Sequence, residues 1–203
     1  PVFINFPQAV FIFRDQTPQT LSVLVKSASL QRLKGNVKLE LPTGWTSDPA
    51  FLPFELSKMN EEQTLTFRVA GGKEEFDGSI GPTAEIDGKS YSNSIRQIQY
   101  DHIPVQTLLP PAKARALRIN IGKTGSVVGY IKGAGDDIPV SLRNLGYEVW
   151  EMKDEEITAA NLKRVDAVVL GIRALNTNER IRYTMPTLLN YAKEGGTVVV
   201  QYN

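Results

Sequence analysis

The side chains best placed to do chemistry lie close together in Gly133-Ala134-Gly135-Asp136-Asp137. Gly133 and Gly135 permit a sharp turn and let another group approach the backbone closely. In a dinucleotide site a third glycine follows, and the turn cradles a pyrophosphate at a helix N-terminus. Here the third glycine is missing and two carboxylates stand where the anion would sit, which argues against a nucleotide. Asp136 and Asp137 could hold a divalent cation if oxygen ligands came from elsewhere. The competing structural role is helix capping together with a hydrogen bond to Arg173.

Several other chemistries are excluded by residue type. The chain has no cysteine, so it has no disulfide, thiolate metal site or cysteine nucleophile. Its single histidine, His102, cannot build a zinc site that needs two or three imidazoles. A serine nucleophile on a G-x-S-x-G elbow is absent as well. His102 lies in Tyr100-Asp101-His102-Ile103-Pro104, where it reads as a packed, hydrogen-bonded junction residue, the alternative being a lone base or pH-sensitive contact. Among the aromatics, Trp45, Phe51, Phe54 and Tyr91 are candidates to stack on a sugar ring. Trp45 and Tyr91 are retained as the sugar-stacking pair, although burial in a core is the commoner fate of such rings.

Positioning these residues requires two kinds of element. Residues 1–111 carry short, turn-punctuated segments with no helical period, among them Phe11–Phe13, Leu21–Val25, Val37–Leu41, Phe51–Leu56 and Leu65–Val69. Val37-Lys38-Leu39-Glu40-Leu41 alternates with period two, so one face is buried and the other is wet. Gly71-Gly72, Asp77-Gly78 and Asp87-Gly88 are turn signals, and a hairpin is expected between Ala84–Ile86 and Ser94–Ile98. This half predicts an all-β, immunoglobulin-like sandwich. Pro104, Pro110 and Pro111 then mark a stiff connection, and Leu117–Ile121 reads as an extra edge strand beside a second domain.

Residues 112–203 alternate strands and helices. Val127–Ile131, Tyr147–Glu151, Asp166–Ile172 and Thr197–Tyr202 are strand-like, with helices near Ile138–Leu145 and Ala159–Arg164 and on both sides of Pro186. The pattern predicts a partial three-layer α/β domain of flavodoxin-like or amidotransferase-like type, with a parallel sheet ordered second, first, third, fourth. Ligands of such sheets bind beyond the carboxyl ends of the strands. The expected cleft therefore gathers Gly133, Gly135, Asp136, Asp137, Arg173, Asn176, Gln201 and Asn203. The net charge of +1 and the scattered lysines and arginines give no basic patch for nucleic acid or an anionic membrane. No apolar run approaches the roughly 20 residues that span a bilayer. Beginning at Pro1 and stopping behind a strand at Asn203, the chain reads as a piece of a longer protein.

The segments Gly129–Pro139, Gly171–Asn176 and Val199–Asn203, with Tyr100–Pro104 at the junction, resemble a region downstream of the catalytic domain in large bacterial PIG-L/LmbE-type proteins. Val37–Trp45 is similar to Ig-like modules attached to sugar-processing enzymes, and the second half resembles class I glutamine amidotransferase domains. The resemblance implies a parent with zinc-dependent N-acetylglucosaminyl deacetylase activity, a glycan partner, an intramolecular catalytic domain and a periplasmic or secreted location. The family's His-Pro-Asp-Asp zinc motif and the amidotransferase cysteine have no counterpart here, so no catalytic residue, zinc ligand or cofactor is expected in this segment. The expected role is accessory: glycan recognition or domain positioning. The alternatives are a hydrolase or amidase site completed by residues after Asn203, and a purely structural spacer or assembly module.

Overall fold

The computed structural model describes residues 1–202, which divide into two units, the first Pro1–Asn120 and the second beginning at Ile121. The first unit holds β1 (Val2–Asn5), β2 (Val10–Phe13), β3 (Gln19–Ser27), β4 (Leu33–Glu40), β5 (Thr46–Asp48), β6 (Phe51–Leu56), β7 (Glu62–Ala70), β8 (Phe76–Ile86), β9 (Lys89–Tyr91), β10 (Arg96–Tyr100), β11 (Ile103–Leu108) and β12 (Ala114–Arg118). One sheet runs β1-β3-β7-β5. A second runs β2-β12-β8-β4-β6, with β9 paired to β8. Alternation along the strands sends Leu21, Val23 and Val25 of β3 and Phe67 and Val69 of β7 into the same core as Phe13, Val37, Leu56, Ile80 and Ala116 of the other sheet. Two sheets that share one apolar interior make a β-sandwich.

Three local expectations are corrected in this unit. The strand near Leu117 belongs to the first unit: β12 lies inside that unit's sheet, parallel to β2 and antiparallel to β8, with Ala114 and Ala116 buried. The boundary accordingly falls after Asn120 rather than after residue 111. Asp77-Gly78 is strand, not turn, because the pairing of β8 with β12 outweighs the local turn preference. Asp87-Gly88 is a turn with positive φ at both residues, as a tight hairpin requires, but it joins β8 to β9 rather than to Ser94–Ile98. Residues 96–100 instead pair with β11 in a separate two-stranded hairpin.

The second unit contains β13 (Val127–Ile131), α1 (Ile138–Asn144), β14 (Glu148–Glu151), α2 (Ala159–Leu162), β15 (Ala167–Leu170), α3 (Ala174–Thr177), α4 (Ile181–Lys193) and β16 (Thr197–Val200). Its four strands are parallel in the order β14-β13-β15-β16. Val128, Tyr130 and Val169 meet Ile138 and Leu142 of α1 on one face. Ile131, Val168 and Leu170 meet Leu162, Ile181 and Leu188 on the other. Pro186 sits within α4 rather than dividing it.

The fold class expected from the sequence is corrected. Strands account for 46% of the chain and helices for 15%, so the protein is mostly β, and no flavodoxin-like or amidotransferase-like domain is established by the second unit. The described sheet there has four strands of four or five residues, against the five of a flavodoxin-like sheet, and only α4 is longer than two turns. The fourth strand, read from the sequence over Thr197–Tyr202, spans Thr197–Val200, and within it Val199 is 46% and Val200 50% exposed. An apolar run reports strand propensity, whereas burial depends on what packs against it.

Candidate functional site

At the carboxyl end of β13 the chain turns through Lys132–Asp137 and meets the segment following β15. The Ala134 amide donates to the Ile172 carbonyl at 2.7 Å, and the Gly171 amide donates to the Ile131 carbonyl at 2.8 Å. A Cβ on Gly133 would run into the Ile172 carbonyl oxygen, and one on Gly171 into the Tyr130 hydroxyl. These two glycines thus serve the close approach of one loop to the other. Gly135, at φ +115°, makes the turn itself and has open space around it.

Asp136 closes the arrangement. Its Oδ1 accepts from the Tyr130 hydroxyl at 2.8 Å and from the Ile138 amide at 3.0 Å, while its Oδ2 accepts from the Ile172 amide at 3.1 Å. Burial favours the neutral acid, but the three donors outweigh it and hold the carboxyl below the ordinary aspartate value. Tyr130, only 2% exposed, is pushed upward by burial first and then by the Asp136 carboxylate, so it remains a phenol and a donor. An ionised acceptor held by a neutral donor and two amides is a clamp between β13, the start of α1 and the end of β15.

The remaining described candidates follow the carboxyl ends of β13, β15 and β16 with different roles. Asp137 is at the N-cap position of α1 but makes no side-chain cap bond; Asp136 satisfies the Ile138 amide instead. The partners of Asp136 are therefore Tyr130, Ile138 and Ile172 rather than the expected Arg173. Arg173 adopts a left-handed backbone at φ 57°, its amide donates to the Tyr202 carbonyl at 2.7 Å, and its side chain is exposed. Asn176 is exposed on α3, and the Gln201 amide donates to the Leu170 carbonyl at 3.2 Å. Asn203 lies outside the described residues. Tyr130 was overlooked because it sits inside an apolar strand. The available signal was that a buried tyrosine needs a partner for its hydroxyl, and Asp136 follows six residues later.

The sugar-stacking candidates divide differently. Trp45 is 8% exposed and held edge-on by Phe13 at 4.6 Å and Phe76 at 5.6 Å between ring centroids, so it is part of the sandwich core. Tyr91 is half-buried against the same core, and Phe54 is buried. Phe51, by contrast, presents its ring to solvent at 60% exposure. His102 is not a packed junction residue: it is exposed in the turn between β10 and β11, with its ring 5.8 Å from that of Tyr100.

Among the described residues no group of three or more histidine, aspartate or glutamate side chains is arranged to hold a metal ion, so the donor set does not fit a zinc centre. No described helix is long and apolar enough to cross a membrane. Comparison with protein-family models and with curated proteins finds no match. Among solved structures the chain is similar to WR4, a C. elegans MSP family member, at 10% identity and a TM-score of 0.32, over 57% of this chain and 97% of that one.

Proposed function

We propose that the chain is a non-catalytic accessory segment of a PIG-L/LmbE-like sugar deacetylase, serving to recognise glycan or position the catalytic domain. The observation that carries this reading is the engagement of Asp136. Both of its oxygens are taken up by the protein's own donors, and its pKa is moved away from the range of a general acid or base at neutral pH. The carboxylate that would have served a hydrolytic or cation-dependent site is used to fasten two loops together. The resemblance of Gly129–Pro139 and Gly171–Asn176 to the region downstream of such deacetylases supplies the biological setting.

The test is to incubate the purified chain with N-acetylglucosamine oligosaccharides and to measure both acetate release and binding. Binding without acetate release is expected. Acetate release by the chain alone, lost in Asp136→Asn, would overturn the accessory role.

A further inference from the structure

The outward face of β4, β6 and β8 sets an exposed aromatic ring among ion-paired side chains. Register places Lys38 opposite Phe51 and sets Asn36 between Pro53 on β6 and Glu85 on β8. Lys38 and Glu85 form an ion pair at 2.5 Å, Lys34 lies 3.4 Å from Glu55, and Arg32 also pairs with Glu55. A cavity of about 380 Å³ beside Phe51 and a second of about 680 Å³ beside Lys34 share Asn36 and Glu85, so the two adjoin as a groove along the strands.

We propose that this groove binds a neutral oligosaccharide, with the Phe51 ring as the stacking platform and Asn36, Lys38 and Glu85 as the hydrogen-bonding edge. The inference deepens the glycan-recognition reading above and rests on it. Three features select the ligand class. Arg32 and Lys34 share Glu55, Lys38 pairs with Glu85, and Asp87 also lines the groove, so three cations stand against three carboxylates and no excess field attracts an anionic or cationic polymer. The same ion pairs, with the Asn36 amide, retain spare donors and acceptors suited to hydroxyl groups. Phe51 supplies a flat apolar surface among polar neighbours, as the C–H face of a sugar ring requires. Residues Lys34, Asn36 and Lys38 alternate along β4, giving a same-face row of about 14 Å at a strand rise of about 3.4 Å per residue. That length suits an extended chain rather than a single small molecule.

β6 is also the edge of its sheet, so edge-to-edge pairing with a second copy is the rival use of this region. Titration of the whole chain with N-acetylglucosamine oligosaccharides, monitored by calorimetry and by amide chemical shifts, separates the outcomes. Phe51→Ala is expected to weaken binding about tenfold or more with unchanged melting, because Phe51 is exposed. Phe51→Tyr should retain affinity, and Arg173→Ala should bind as the parent does. Undiminished binding by Phe51→Ala would overturn this site while leaving glycan recognition standing. No binding by the parent chain would remove both. Light scattering that shows a dimer lost in Phe51→Ala, with sugar binding intact, would assign the face to self-association instead.

Discussion

Replacing Asp136 tests whether the glycine-rich turn is a clamp or a reactive site. Asp136→Ala removes the acceptor for three donors. Ile138 and Ile172 are only partly buried, so their amides can recover water. The Tyr130 hydroxyl is attached to a side chain that is only 2% exposed and is left without its acceptor. With hydrogen bonds to charged groups worth about 1.5–3 kcal/mol each, and discounting the two solvent-accessible amides, the loss should total about 3 kcal/mol. For a unit the size of Ile121–Asn203 this corresponds to a fall in melting temperature of roughly 15 °C. Asp136→Asn keeps the shape but loses the charge and should cost about 1 kcal/mol. Because the folded-state pKa of Asp136 is depressed, its contribution is fully present above the unfolded carboxyl value of about 3.9 and is lost as pH falls through the folded value. The gap between the parent and Asp136→Asn should therefore narrow below about pH 4. The two tryptophans lie one in each unit, so Trp150 fluorescence in a Trp45→Phe background reports the second unit alone. An unchanged Trp150 transition in Asp136→Ala would refute the clamp. So would calcium or magnesium raising the melting temperature of the parent but not of the asparagine variant, since that would make the carboxylate a cation ligand.

Trp45→Ala should cost the first unit about 3–5 kcal/mol, because it empties the space between Phe13 and Phe76; denaturant unfolding measures it, and a neutral result would contradict the core assignment. Gly171→Ala must place a methyl group against the Tyr130 hydroxyl and the Gly133 backbone, and should destabilise the second unit by more than about 2 kcal/mol in the same Trp150 assay. His102→Ala should change stability by less than about 0.5 kcal/mol, since the ring is exposed in a hairpin turn; a larger loss on thermal melting would show a contact that burial does not reveal.

What could be read from the sequence was what adjacent residues decide together. The runs read at Val127–Ile131 and Asp166–Ile172 became neighbouring parallel strands, the second over Ala167–Leu170. Asp87-Gly88 became a hairpin turn. What could not be read depends on partners distant in the chain. Asp77-Gly78 has the composition of a turn, yet β12, almost forty residues later, holds it in a strand, where Arg115 makes two hydrogen bonds to the Asp77 carboxylate at 2.9 and 2.6 Å. Neither member of Asp136-Asp137 is marked by its own neighbours as the one that binds Tyr130 and Ile172; the Ile172 amide arrives from another loop.

The same distinction explains why the candidate sites exchanged roles. Trp45 and Phe51 are both aromatic residues near strand ends, and composition favours tryptophan as the sugar platform. Burial is decided by side-chain parity within a sheet. The pairing of β6 with β4 puts Phe54 and Leu56 inward and leaves Phe51 among outward residues, opposite Lys38. A one-residue shift of register would bury Phe51 and expose Leu52 in its place. Trp45, just before β5, is drawn in by Phe13 from β2 and Phe76 from β8, neither of which is near it in sequence. In the second unit the opposite occurs: the Asp136 carboxylate, a residue type suited to a reactive cleft, is engaged in fastening two loops together. On the Phe51 face the ion-paired groups stay open to solvent, with the Lys38 and Glu85 side chains 49% and 44% exposed, so the proposed recognition surface is placed there rather than at the Asp136 turn.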